Sequence, residues 1–337
     1  MSAMLLNKQK WTEFTGILSG KKVLAPVACG DRFRYAVPAE GKAFSLDFDR
    51  PLVPPKSAVF PQTETLYRFQ LGKTELAAPQ PGEELILLGV RPCDARAIKL
   101  VEKLFRWDVD DPYYLRRREL TTVVGLACLE PGLNCFCPSL GGGPASTEGL
   151  DLLMVDLGDS YYLEPLTDKG RSLMDLASGL LEEAGEEGLQ KKEEAVRRAE
   201  EKIRRTVDTD GVPEILPDLW EHPLWQKTAA GCLGCGTCTY LCPTCHCFDI
   251  QDEIEGFEAR RCRMWDSCMF EEYTLHTSGH NPRPTRRERT RNRINHKYSY
   301  FVRKFNVIAC VGCGRCVNYC PVNIDLIETL REVKEAQ

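Results

Sequence analysis

The sequence predicts a mixed fold in three zones. An α/β domain spans residues 1–165, a charged helical linker 166–220, and an α+β, mostly helical domain 221–337. Three observations carry this. The first zone alternates short β-branched and leucine-rich runs with turns. The second is dense in helix-forming charged residues. The third holds most of an unusually large set of cysteines.

In the first zone the runs KVLAPV (22–27), LILLGV (85–90), TTVVGLAC (121–128), LLMVDL (152–157) and YYLEPL (161–166) are bounded by Gly, Pro and Asp and read as strands. A helix is predicted over 95–105 between two of them. Residues 171–207 place acidic and basic side chains three and four apart, the pattern of a solvated helix, and Gly185 and Gly188 are expected to split it in two. The net charge of −5 is too mild to argue for a nucleic acid or membrane partner. The apolar run Met4–Leu6 is too short for a signal peptide, and the run at 85–90 is strand-sized. A cytoplasmic protein with no membrane span is expected.

Seventeen cysteines change the problem. An odd count cannot pair fully, and in a reducing compartment dense cysteine usage points to metal rather than disulfides. Within the third zone, GCLGCGTCTYLCP (231–243) and ACVGCGRCVNYCP (309–321) are an internal repeat separated by an insert, 244–308. Both read C-x2-C-x2-C-x3-C-P: Cys232, Cys235, Cys238 and Cys242 before Pro243, then Cys310, Cys313, Cys316 and Cys320 before Pro321. This is the run of a bacterial two-cluster ferredoxin, in which three thiolates hold one 4Fe-4S cluster and the fourth cysteine reaches the other. The expected ligand sets therefore cross. One cluster takes Cys232, Cys235, Cys238 and Cys320; the other takes Cys310, Cys313, Cys316 and Cys242. Small residues at Gly234, Gly236, Gly312 and Gly314 let backbone approach the sulfurs. Zinc also accepts four cysteines, but its ribbons set two C-x2-C pairs widely apart rather than four cysteines in one run.

Nine cysteines lie outside the repeat. Cys93 and Cys128 each follow a predicted strand end, where loops of an α/β domain converge on a site, and Cys135 and Cys137 form a C-x-C pair. These four have the ligand count for a third cluster, with Arg91 and Asp94 as supporting neighbours; buried free cysteine is the alternative. In the insert, Cys245, Cys247, Cys262 and Cys268 together have the count for a further metal, or Cys245 and Cys247 only line the cluster pocket, and His246 reads as a polar neighbour. Cys29 stands alone and reads as core. The basic stretch 283–304 is expected to neutralise the cluster domain or dock a partner, rather than bind nucleic acid. No G-x-G-x-x-G follows a strand and no P-loop occurs, so no nucleotide site is visible, and no residue is assigned a catalytic role.

GVRPCDARA, ACLEPGLNCFCPS, HPLWQKTAAGCLGCGTCTYLCPTCHCFD, WDSCMF, SGHNPRPTRRER and ACVGCGRCVNYCPVNID resemble a family of cytoplasmic iron–sulfur subunits. That family includes the β subunit of sulfhydrogenases and the A subunit of anaerobic sulfite reductase. The resemblance runs from about residue 85 onward and is strongest in the last third. It implies an electron-transfer subunit of an oxidoreductase in anaerobic metabolism. Such a subunit works between a flavin (FAD or FMN) subunit that handles NAD(P)H and a catalytic subunit of hydrogenase, sulfite-reductase or heterodisulfide-reductase type. It also supports a metal at Cys93, Cys128, Cys135 and Cys137. The competing reading is a terminal reductase that acts on a sulfur compound or disulfide at an additional cysteine site. No two cysteines are adjacent, so the paired-cysteine signature of a heterodisulfide-type catalytic site is missing.

Overall fold

The structure, a computed structural model, describes residues 2–18, 20–39, 46–48, 50–79 and 82–336. Its strands are β1 (Met4–Asn7), β2 (Lys22–Cys29), β3 (Arg32–Ala36), β4 (Thr63–Gln70), β5 (Leu76–Ala77), β6 (Leu85–Val90), β7 (Thr121–Leu126), β8 (Leu152–Asp156), β9 (Ser160–Pro165), β10 (Leu181–Glu183), β11 (Phe248–Glu255) and β12 (Glu258–Trp265).

Eight of them form one sheet in the order β10-β1-β9-β8-β7-β6-β2-β3. Strands β2, β6, β7 and β8 run parallel, and antiparallel strands flank them on both sides. The parallel strands are apolar on both faces, as a sheet covered on both sides requires. One face packs Ile86, Leu88, Val124 and Met154 with Leu6 and Phe14. The other packs Leu87, Val90, Val123 and Val155 under Ala95, Ile98 and Val101 of the helix Pro92–Phe105. That helix starts two residues after β6, with Pro92 in its first turn, where a missing N–H costs no hydrogen bond.

A second sheet, in the order β11-β12-β4-β5, joins the hairpin of the insert to a strand from the first zone. A buried charge network ties the two together. Arg263 on β12 meets Glu64 of β4 and Asp111, each at 2.5 Å. The indole of Trp265 donates to the Phe60 carbonyl at 3.0 Å. Hydrogen bonding therefore runs directly between the zones drawn at 1–165 and 221–337.

The linker differs from its expected form. A helix Asp168–Leu176 is followed by β10 on the sheet edge, then by a helix Gly185–Glu201. The break thus precedes both glycines. Gly188 lies inside the second helix, where a Cβ would come within 3.1 Å of the Ala184 side chain. The cysteine-rich region is also less helical than expected: its insert contributes the β11–β12 hairpin, and each repeat contains a single short helical turn. Among the described residues no helix is long and apolar enough to cross a membrane.

Candidate metal centres

The helical turns Thr237–Tyr240 and Arg315–Asn318 follow matching points of the two repeats and pack against each other. Each is entered through a left-handed glycine, Gly236 at φ 72° and Gly314 at φ 70°. A residue with a Cβ would lose about 1–2 kcal/mol in that conformation. The paired turns bring thiols from both copies to one cavity: Cys232, Cys235 and Cys238 line it together with Cys316 and Cys320. Its remaining walls are mostly apolar, with Leu233, Met269, Val322 and Ile324 among them. Backbone amides already point at sulfur. The Gly234 N–H donates to Cys232 Sγ at 3.4 Å and the Ile324 N–H to Cys320 Sγ at 3.3 Å.

Next to this cavity lies the second expected set. Burial pushes the Cys316 thiol up to about 12; Arg293 opposes this, and the neighbouring Cys310, Cys313 and Cys242 add to it. Burial likewise raises Cys313, with Cys242 among the charges that bear on it. Thiols that resist ionisation on their own ionise on a metal, which supplies the missing positive charge. Lys297 is 5% exposed and donates from Nζ to Cys242 Sγ at 3.3 Å. Arg293 lines the first cavity, and its Nε and Nη2 are buried without a hydrogen-bond partner. Two orphaned guanidinium donors facing soft thiols fit an anionic sulfur-rich group, whose sulfurs would accept those N–H bonds.

Four of the five cysteines of the first zone, Cys93, Cys128, Cys135 and Cys137, come to the second repeat. Phe136 N–H donates to the Gly312 carbonyl at 2.9 Å, so the loop holding Cys135 and Cys137 docks on the turn that carries Cys310 and Cys313. Arg50 donates to Cys135 Sγ at 3.4 Å and, through the same nitrogen, to the Cys313 carbonyl. Cys137 is pushed up to about 12 by burial, with Cys135 and Cys128 adding to the shift. Burial also raises Cys93, and Cys313 is among its neighbours. The charges of the two supporting residues bear on these thiols, Arg91 on Cys128 and Asp94 on Cys93, and both also hold other partners. Asp94 forms an ion pair with Arg315 of the second repeat, and Arg91 donates to the carbonyls of Ala127 and Phe48, both at 2.9 Å.

The contact between this loop and the repeat is tight enough to test. A Cβ on Gly312, at φ +65°, would lie 2.5 Å from the Cys137 nitrogen, whereas one on Gly231 would meet nothing within 4 Å. Gly312→Ala is expected to cost about 2–4 kcal/mol, from left-handed strain and overpacking. Gly231→Ala is expected to be near neutral in the same thermal unfolding measurement.

Of the other cysteines, Cys245, Cys247 and Cys268 line a smaller cavity beside His246, and Cys262 lies apart on β12. Cys29 is exposed at the end of β2, contrary to the core position expected of a lone cysteine. The basic stretch 283–304 is largely buried: Arg289, Arg291, Arg293 and Lys297 are each at most 8% exposed. Arg289 and Arg291 cap carbonyls of Arg283, Pro284 and Trp220, while Arg293 and Lys297 face thiols. Sequence reasoning assigned no individual role to Arg293, Lys297 or Lys56. The available signal was a run of arginines leading directly into a cluster motif.

Matched cysteine runs that fold around a shared apolar cavity, with buried cations turned toward them, define an iron–sulfur protein. Residues 231–324 match the model of the 4Fe-4S dicluster domain. Over 317 residues the chain is 33% identical to the β subunit of sulfhydrogenase 2 from Pyrococcus furiosus, covering 93% of this chain and 92% of that subunit. The chain belongs to the sulfhydrogenase β-subunit family. No solved structure matches it.

Proposed function

We propose that this chain relays single electrons between a flavin-bearing NAD(P)H subunit and a catalytic subunit of a cytoplasmic oxidoreductase complex. The catalytic partner would be of hydrogenase, sulfite-reductase or heterodisulfide-reductase type. The observation that carries the reading is the cavity shared by Cys232, Cys235 and Cys238 of one repeat and Cys320 of the other. It supports two 4Fe-4S clusters with crossed ligands, the second on Cys310, Cys313, Cys316 and Cys242, and the docked loop supports a third on Cys93, Cys128, Cys135 and Cys137. When bound, each cluster takes up one electron and gives it back.

The chain's own residues serve that exchange. Apolar side chains line much of the first cavity, and Arg293 and Lys297 offset the negative charge, which favours the reduced state. Cys316 lies on the first cavity while belonging to the second ligand set, so the two sites adjoin. The contact between Phe136 and Gly312 extends the row toward the N-terminal sheet. On this reading residues 1–165 hold the outer centre, 166–220 brace the two parts, and 221–337 hold the adjoining pair.

A double substitution distinguishes crossed from uncrossed ligation. Crossed ligands place Cys235 and Cys320 on the same cluster, so Cys235→Ser/Cys320→Ser should lose about four irons per chain by colorimetric assay. A loss of about eight would show that each repeat holds its own cluster. The relay reading fails if the purified chain alone, given reduced methyl viologen, reduces sulfite or polysulfide with turnover.

A further inference from the structure

The insert cysteines are not one group. Cys262 is fully buried on β12, with its Sγ 4.0 Å from Thr65 Oγ1. Cys245, Cys247 and Cys268 instead converge on a cavity closed by Arg293, His296 and Lys297. Arg293 also lines the cavity of the first repeat, so this second space lies across its guanidinium from that site.

Three buried cations converge here: Lys56 and Lys297 at 5% exposure and Arg293 at 8%. Lys56 donates to the carbonyls of Cys242 and Cys245 at 2.9 and 2.8 Å and stacks on Trp265. Among the described residues none of the three pairs with a carboxylate; the negative groups that bear on them are cysteines, Cys245 among them in all three cases. Buried cations need a counter-charge. The ligand sets of the repeats include Cys242, Cys238 and Cys310 but leave Cys245, Cys247 and Cys268 outside.

We propose that Cys245, Cys247 and Cys268 bind a further iron–sulfur cluster through three thiolates, leaving one iron corner to a ligand other than cysteine. Thiolates are soft ligands that select iron–sulfur groups, zinc or copper(I). Among the described residues no three or more Cys, His, Asp or Glu side chains close on a single ion. The three cysteines line one cavity, and a multi-iron group would span it. Tyr273 lies against Cys247, outside the residues that line the cavity. A corner without cysteine is labile: under ferricyanide its iron leaves as Fe2+, one electron passes to ferricyanide, and a three-iron cluster remains.

The site stands independently of the one at Cys93, and the test separates them. In full-length Cys135→Ser/Cys137→Ser protein, reconstituted anaerobically, about twelve irons per chain are expected from the two repeat clusters and this one. About eight would overturn the proposal. This count does not depend on whether variants at the new site fold. Adding Cys247→Ser and Cys268→Ser should remove about four irons and abolish the three-iron electron paramagnetic resonance signal seen after ferricyanide. Cys262→Ser, buried but outside the cavity, should change neither. Iron content unaffected by the Cys247 and Cys268 substitutions would also overturn it.

Discussion

Asp94→Ala is expected to destabilise the protein by about 3–5 kcal/mol, the usual cost of stranding a buried charge. Asp94 follows β6 at the start of the helix Pro92–Phe105 and is 1% exposed; Arg315 opens the helical turn that carries the third cysteine of the second repeat and is fully buried. Their two-pronged contact, at 2.5 and 2.8 Å, is completed by the Pro51 carbonyl, to which Arg315 donates twice. Without Asp94 the guanidinium keeps its charge and only a carbonyl to share it. The loss is global because the pair joins the sheet to the second repeat. Thermal unfolding followed by circular dichroism should show one lowered midpoint, with release of iron in the same transition. Replacing both partners, as Asp94→Leu/Arg315→Met, should recover much of the loss, since apolar pairs of similar volume often match a buried ion pair. Equal stability of Asp94→Ala and the parent protein would show that the contact carries no net weight.

Removing iron is expected to have a larger and more local effect. Arg293 and Lys297 sit on the segment 293–297, where the helix Arg286–Asn295 passes into a wider turn at His296–Tyr300. In the iron-free chain burial favours the neutral forms of Cys238 and Cys316, so Arg293 loses its counter-charge. Uncompensated buried ions cost several kcal/mol each, enough to unfold a unit of this size. After anaerobic chelation, amide exchange should show protection lost over 286–305 and 326–335. It should be retained in β6, β7 and β8, whose core is apolar and complete without metal. Protection should return on addition of iron and sulfide. Persistent protection of 286–305 in iron-free protein would mean that other groups hold the arginines.

The parallel strands were legible in the sequence because each is a contiguous apolar run whose burial needs no partner to be named. The cysteine repeat was legible for a similar reason, since its spacing is itself the ligand geometry. Strand β4, TETLYRFQ, was not, because its neighbours β12 and β5 decide its state and β12 lies nearly two hundred residues away. The β11–β12 hairpin did leave a signal: two runs of alternating residues flank the Gly256–Phe257 pair, with Gly256 at φ +62°, as a two-residue turn demands. It was masked by the density of charge. The buried arginines were hidden for a different reason. A run such as RRERTRNRIN reads as solvated because the charges that would balance it belong to groups the sequence does not encode. The same blindness affects Asp94, whose partner Arg315 is brought to it only by the docking of the second repeat on the sheet.

Strand β1 lies between β9 and β10, pairing residues 4–7 with 160–163 on one side and residues 4–6 with 181–183 on the other. Both partners of this strand therefore lie far along the chain from it. Closing a loop of that length costs entropy before any contact repays it, which slows folding. Until β1 seats, the edges of β9 and β10 stay open and the sheet beneath Cys93 and Cys128 is incomplete.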